Sequence, residues 1–285
     1  MDNHYARFKE ALKHLAERQE ETAEAANDCE AEPVKLKDAD FALSKAYPTN
    51  ENSLTIFKGD WVTSIPGQEA ATGGTPLCAD GRLQWLLENK PVRGMSVLEL
   101  GPLEGGHTYM LEKVGGATVT AIEANSKSFL KTLVLKNYFD LKAKILYGDF
   151  VKYLSEPLKE HYDMCVAVGV LYHMSDPINF LTNIGKNFNR LFMWTHYFDA
   201  KRNLPSIRFD ETRYSTTVGE REIFYHKHHY FIKRPEFLGG IDPYSYWLER
   251  ESLLGYLSDL GFRDIVIVYE NTHPNYPDIC FYAEK

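Results

Sequence analysis

Ser96 to Asn125 reads SVLELGPLEGGHTYMLEKVGGATVTAIEAN, and the fold is decided on this stretch. Val97, Leu98 and Leu100 make a short apolar strand, and a turn carrying Gly101, Gly105 and Gly106 follows. An amphipathic helix then presents Tyr109, Met110, Leu111 and Val114 before Gly115-Gly116 ends it. A second strand, Ala117 to Ile122, stops at Glu123 with Ala124 beside it. The order is β-α-β, with a glycine turn at the carboxyl end of one strand and a carboxylate at the end of the next. Glycine lets backbone approach a ligand closely. The helix N-terminus offers unpaired N–H groups, and the acid can accept hydrogen bonds from ribose hydroxyls. Such a unit suits a nucleotide-like ligand.

Which nucleotide depends on the turn. A dinucleotide site asks for G-x-G-x-x-G around a pyrophosphate. Here the turn is Gly101-Pro102-Leu103-Glu104-Gly105-Gly106, with Leu103 in place of the middle glycine. Glu104 is expected to face the ligand, which is unfavourable for a dianion and tolerable for an ammonium and a sulfonium. Glu99, just ahead of the first glycine, fits the same charge logic. The stretch resembles motif I of the class I S-adenosylmethionine-dependent methyltransferases, roughly acid-x-Gly-x-Gly-x-Gly, and departs from it at Leu103. The resemblance implies S-adenosyl-L-methionine as cofactor, with Glu99, Gly101 and Gly105 at the turn and Glu123 and Ala124 at the ribose. An ordinary β-α turn is the alternative.

Later segments extend the pattern. Ser126 can cap a helix running to about Phe139, whose expected buried face is Phe129, Leu130, Leu133, Val134 and Tyr138. Ala143 to Tyr147 is a third strand, followed by Gly148-Asp149-Phe150. In the family an acid here meets the adenine amino group and an apolar neighbour packs on the ring, so the resemblance implies those roles for Asp149 and Phe150. Met164 to Val168 is apolar throughout, as for a parallel strand covered on both faces. It ends at Gly169, an expected cofactor contact. The run VGVLYHMSDP resembles the fourth-strand motif of methyltransferases, in particular the branch that modifies wobble uridine in tRNA. The resemblance covers about residues 100 to 196. Ligands of open α/β sheets bind at the carboxyl ends of strands, where all four signals fall.

The expected fold is therefore α/β, a Rossmann-like class I methyltransferase sheet, mostly parallel with its last strand antiparallel. Asn189 to Thr195 supplies the fifth strand, Glu249 to Leu260 a helix ended by Gly261, and Phe262 to Tyr269 with Ile279 to Ala283 a final hairpin. Residues 1–90 read as an N-terminal helical and irregular extension, and 91–285 as the methyltransferase domain. Within the extension, Asn3 to about Glu24 is helical, with Tyr5, Phe8, Leu12 and Leu15 on one face. That face suits either its own domain or the second copy of a homodimer. Leu54 to Val62 reads as a short strand carrying Phe57 and Trp61, and Arg82 to Asn89 as a helix. Residues 199–246, dense in aromatics, histidine and arginine, read as a lid or substrate-binding insertion.

Composition bounds the rest. The 285 residues carry 44% apolar and 25% charged side chains, ordinary for a globular chain. A net charge of −8 disfavours a broad nucleic-acid surface without excluding a local basic groove. Cys29, Cys78, Cys165 and Cys280 form no C-x-x-C pair and read as reduced thiols of a cytoplasmic protein. No apolar run spans a membrane, and the polar N-terminus carries no secretory signal.

Methyl transfer is an in-line displacement in which positioning dominates, with a base needed only if the acceptor loses a proton. His173 and His196, after the fourth and fifth strands, are the candidate catalytic bases. His226-Lys227-His228-His229 has alternate histidines on one face, but no acid lies at close ligand spacing, so no metal is expected. Three functions are compatible with these residues. The first is a methyltransferase acting on O or N of a small molecule. The second is a tRNA-modifying methyl or carboxymethyl transferase, for which Arg202, Arg208, Arg213 and Arg221 speak. The third is a non-catalytic binding protein that keeps the fold.

Overall fold

A computed structural model describes residues 43–69, 72–199, 209–229, 240–272 and 277–285. The chain separates into two units, Met1–Lys45 and Ala46–Lys285. The helix expected from Asn3 lies outside the described residues.

Seven strands form the main sheet of the second unit: β1 (Ser96–Leu100), β2 (Thr118–Glu123), β3 (Lys144–Tyr147), β4 (Met164–Val168), β5 (Arg190–His196), β9 (Asp264–Asn271) and β10 (Asp278–Glu284). Their order is β3-β2-β1-β4-β5-β10-β9. β1 to β5 pair in parallel. β10 runs antiparallel to both β5 and β9. This is the expected sheet, with the last strand in chain order inserted second from the edge. The order turns back at β1 and β4, where α/β sheets open a crevice for ligand.

Side chains alternate between two cores because strand periodicity is two. Leu98, Leu100, Cys165, Ala167, Leu191 and Met193 face one cluster, together with Phe180 and Ile184 of α6 (Pro177–Asn187) and Leu253 and Leu257 of α7 (Arg250–Asp259). Val97, Val119, Ala121, Met164, Val166 and Phe192 face the other, with Leu83 and Leu86 of α2 (Gly81–Asn89) and with Met110 and Leu111. Both faces are covered, which is why these strands are rich in apolar residues and β4 is apolar throughout.

Three local expectations change. Leu54 to Val62 is not a strand. Thr49 caps α1 (Asn50–Leu54) by accepting from the Asn52 N–H, a 3₁₀ turn Thr55–Phe57 follows, and the Trp61 indole N–H donates to the Leu54 carbonyl at 2.9 Å. The helix after the glycine turn is short: α3 (Gly106–Tyr109) passes into a π-helical turn, Met110–Val114, which leaves Val114 exposed. In α4 (Ser126–Tyr138) the cap is Asn125, not Ser126, and the buried residues are Ser128, Lys131, Thr132 and Leu135. Leu130 and Leu133 are 38% and 36% exposed. The inward face of α4 is more polar than periodicity implies because Lys131 is neutralised there by Glu104, at 2.6 Å.

A second sheet is formed by residues later in the chain. β6 (Phe209–Val218), β7 (Arg221–His229) and β8 (Tyr244–Leu248) form an antiparallel meander in the order β6-β7-β8.

Candidate active site

A cavity of about 630 Å³ opens at the carboxyl ends of β1, β2 and β4 and at the loop after β3. Gly101, Glu123, Ala124, Asp149, Phe150, Gly169 and His173 all border it. Glu99, Gly105 and His196 do not line it.

The turn is built around Glu123. Its carboxylate accepts the Leu103 N–H at 3.1 Å and the Asn125 N–H at 2.8 Å. Leu103 has a φ of 61°, in the left-handed region that a non-glycine residue seldom adopts. The bond to Glu123, and one from the Thr132 hydroxyl to the Leu103 carbonyl at 2.9 Å, hold it there. Burial raises the Glu123 carboxyl above its ordinary value, against the hydrogen bonds of Asn125 and Leu103. Gly101 has a φ of 65°, and a Cβ on it would lie 3.3 Å from Val170 Cγ2. Gly105 and Gly106 serve packing instead. A Cβ at Gly105 would meet Thr132 at 3.1 Å, and one at Gly106 would meet Leu77 at 2.7 Å.

Glu104 does not face the cavity. It is 0% exposed, accepts the Val62 and Thr63 N–H groups at 3.0 and 2.7 Å, and pairs with Lys131. The acids that border the cavity are Glu123, Asp149 and Asp242. Glu99 lies beneath the turn, accepts the Thr108 hydroxyl at 2.5 Å, and has its other oxygen buried without a partner among the described residues. Burial pushes its carboxyl up to about 7, with Glu123 adding to the effect and Thr108 opposing it.

Asp149 caps α5 (Phe150–Ser155) through one oxygen, which accepts the Val151 N–H at 2.8 Å. Phe150 packs on Phe180, ring centroids 5.8 Å apart. The loop after β4 presents Tyr172 and His173. Burial lowers the His173 pKa to about 3, and His196 and His228 add to this. His196 is stacked on Trp247 with ring planes 6° apart, its Nδ1 lies 3.3 Å from the Pro277 carbonyl, and burial lowers its pKa too.

Residues late in the chain also reach the cavity. Gly240, Ile241 and Asp242 border the cavity. The Trp247 indole N–H donates to the Tyr172 carbonyl at 3.0 Å, the Tyr246 N–H to the Met174 carbonyl at 2.9 Å, and the Ser175 hydroxyl to Asp242. His226 and His228 are both buried. His226 bonds Glu249 at 3.1 Å and stacks on Phe198, while His228 stacks on Trp247. Among the described residues no group of three or more His, Cys, Asp or Glu could hold a metal ion. No helix among them is long and apolar enough to cross a membrane.

Sequence reasoning missed one cluster at the cavity wall. Arg82 and His107 both line it, and both converge on Asp80. Trp194 lines it as well, with the Arg82 guanidinium 4.5 Å above its ring. Asp80 and His107 are 27 residues apart, and no sequence pattern links the two. The available signal was an acid immediately ahead of a helix, which on its own indicates no more than a cap.

The chain matches no family model, and no curated protein matches it in sequence. Among solved structures it is similar to the N-terminal domain of EvdMO1, crystallised in the presence of SAH and D-fucose. That likeness has 21% identity and a TM-score of 0.65 over 82% of this chain and 94% of that one. The same domain with SAH bound gives 18% identity and a TM-score of 0.64. Full-length EvdMO1 gives 0.55, with 44% of that longer chain covered. In strand order and in overall likeness, this chain has the Rossmann-like fold of the class I methyltransferases.

Proposed function

We propose that this protein is an S-adenosyl-L-methionine-dependent methyltransferase acting on an oxygen or nitrogen of a small molecule. The observation that carries the reading is the convergence of Gly101, Glu123, Asp149, Phe150 and Gly169 on one cavity, from four successive strand ends. The residues fit the cofactor. Glu123 uses one lone pair on each oxygen for backbone N–H groups, leaving capacity for ribose hydroxyls. Asp149 spends one oxygen on its helix and has the other for an exocyclic amine. Gly101 gives close approach at the turn, and the Tyr172 and Trp194 rings at the cavity wall suit a sulfonium. When bound, the cofactor supplies an electrophilic methyl carbon; the protein's task is to align an acceptor with it and exclude water.

A hydroxyl acceptor is favoured because the similar EvdMO1 domain was crystallised with D-fucose as well as SAH. The cavity's volume also suits a small molecule beside a nucleoside. Of the two histidines expected as proton acceptors, His173 borders the cavity and His196 stands one ring behind it. The segment 199–246 is the lid in this reading, and 1–90 its N-terminal extension. Cys78, Cys165 and Cys280 are all free and buried, in keeping with a cytoplasmic location.

The tRNA reading draws on VGVLYHMSDP and on arginines. Of those described, Arg213 is bidentate on Glu249 and Arg221 pairs with Asp259. Cations already neutralised attract phosphate weakly, so the small-molecule reading is preferred. The test is calorimetry with S-adenosyl-L-homocysteine, followed by a methyl-transfer screen over free sugars and tRNA. Methylation of tRNA alone would reverse the preference.

A further inference from the structure

The cluster at the cavity wall has a geometry that neither expected histidine has. His107 Nε2 lies 2.9 Å from Asp80 Oδ2. Arg82 grips the same carboxylate from the other side, Nε at 2.9 Å from Oδ1 and Nη2 at 2.5 Å from Oδ2. Burial by itself would raise the Asp80 carboxyl, but hydrogen bonds from His107 and Arg82 outweigh it and hold Asp80 well below the usual carboxylate range. A carboxylate held as the anion can only accept, so Nε2 of His107 carries a proton towards Asp80, and in the neutral ring the lone pair is on Nδ1. Among the described residues no hydrogen bond takes that Nδ1, and it is not one of the polar atoms sealed from solvent. His107 borders the cavity. Arg82 stacks on Trp194, and Trp194 lies against Gly169, where a Cβ would meet the indole at 3.5 Å. The dyad therefore adjoins the end of the cavity where β4 and β5 terminate.

We propose that His107 is the catalytic proton acceptor for the substrate hydroxyl, with Asp80 as its positioning residue and Arg82 as the anchor of Asp80. The inference rests on the methyl-transfer reading. As the substrate oxygen forms its bond to the methyl carbon, the carbon–sulfur bond breaks and its electron pair stays on sulfur. The hydroxyl proton passes to His107 Nδ1, and the imidazolium so formed is balanced by the Asp80 carboxylate. This is the base-and-orienter logic of acyl-transfer triads used for a different electrophile. Thr108, next to His107 in the chain, donates its hydroxyl to the buried Glu99 carboxyl. His173, held neutral by its neighbours and burial, is the weaker base.

Two arms test this. The first needs no acceptor: carbethoxylation by diethyl pyrocarbonate at pH 7, mapped by mass spectrometry. His107 should be modified in the wild type, and at least tenfold more slowly in Asp80→Asn, which keeps the helix cap. An inert His107, or equal rates in both proteins, overturns the assignment. The second arm uses D-fucose as probe acceptor. His107→Asn should lose about 10²–10⁴ in rate and bind S-adenosyl-L-homocysteine as before. Added imidazole should rescue His107→Gly. Wild-type turnover by His107→Asn overturns the proposal. Failure of the wild type to bind S-adenosyl-L-homocysteine overturns the methyltransferase reading instead, so the two failures are distinguishable.

Discussion

Glu104 and Lys131 form an ion pair 2.6 Å long whose side chains are 1% and 6% exposed. It joins the glycine turn to α4, and the free lone pairs of Glu104 hold the backbone of Val62 and Thr63. Lys131 in turn donates to the Asp60 carbonyl and lies 5.6 Å from the Trp61 ring. The segment before the sheet, the turn and α4 are thus tied at one point just behind the cavity.

Breaking one half of that pair leaves an uncompensated buried charge. Lys131→Met should lose about 3–5 kcal/mol of unfolding free energy, read from urea denaturation. The double variant Lys131→Met, Glu104→Gln should lose less than the single one. A single variant as stable as wild type would show that the pair does not hold the turn.

Gly101→Ala places a side chain at a φ of 65° and brings its Cβ to 3.3 Å from Val170. The strain should cost roughly 1–2 kcal/mol of stability, and cofactor affinity should fall further because the turn must shift. Thermal unfolding and calorimetry, run on the same preparation, separate the two effects.

Glu99 makes stability depend on pH. Its folded pKa is raised by burial to about 7 from a usual value near 4.5, so the folded state holds a proton that the unfolded state has released. The stabilisation is full below about 4.5 and is lost as pH rises towards 7. Glu99→Gln keeps an acceptor for the Thr108 hydroxyl and removes the titration. It should flatten the stability profile over that window and raise stability at pH 8 by about 1–3 kcal/mol. An unchanged slope would place the titrating group elsewhere.

β8 is tied to the loop after β4 by the Trp247–Tyr172 and Tyr246–Met174 hydrogen bonds. If the segment 199–246 is the lid, protease cleavage within it should slow when S-adenosyl-L-homocysteine is present. Trp247→Phe, which lacks the indole N–H, should weaken that protection by about 0.5–1.5 kcal/mol. Cleavage indifferent to ligand would remove the lid role.

The sheet was legible because the central parallel strands are covered on both faces and so are rich in apolar residues; Met164–Val168 has the expected bounds. The site was partly legible because Gly101, Glu123, Asp149 and Gly169 fall at strand ends, where chain order alone predicts convergence. What stayed hidden depends on partners distant in sequence. Glu104 looked like a ligand contact until Lys131 and the Val62 backbone claimed it. Leu130 and Leu133 looked buried because apolar periodicity does not record that a neutralised lysine can occupy the inner face. Asp80 and His107 meet only because α2 packs beside the turn, a contact that no local pattern encodes.

Binding of an S-adenosyl cofactor in the cavity at the ends of β1 to β4 is the central claim, and titration calorimetry with S-adenosyl-L-homocysteine, with NADH as control, tests it most directly. Saturable binding of the former and none of the latter is predicted. Glu123→Gln, which keeps a carbonyl oxygen for a turn N–H but gives up the charge, should bind about tenfold more weakly, near 1.4 kcal/mol. Binding of NADH in preference to S-adenosyl-L-homocysteine, or undiminished affinity in Glu123→Gln, would contradict it.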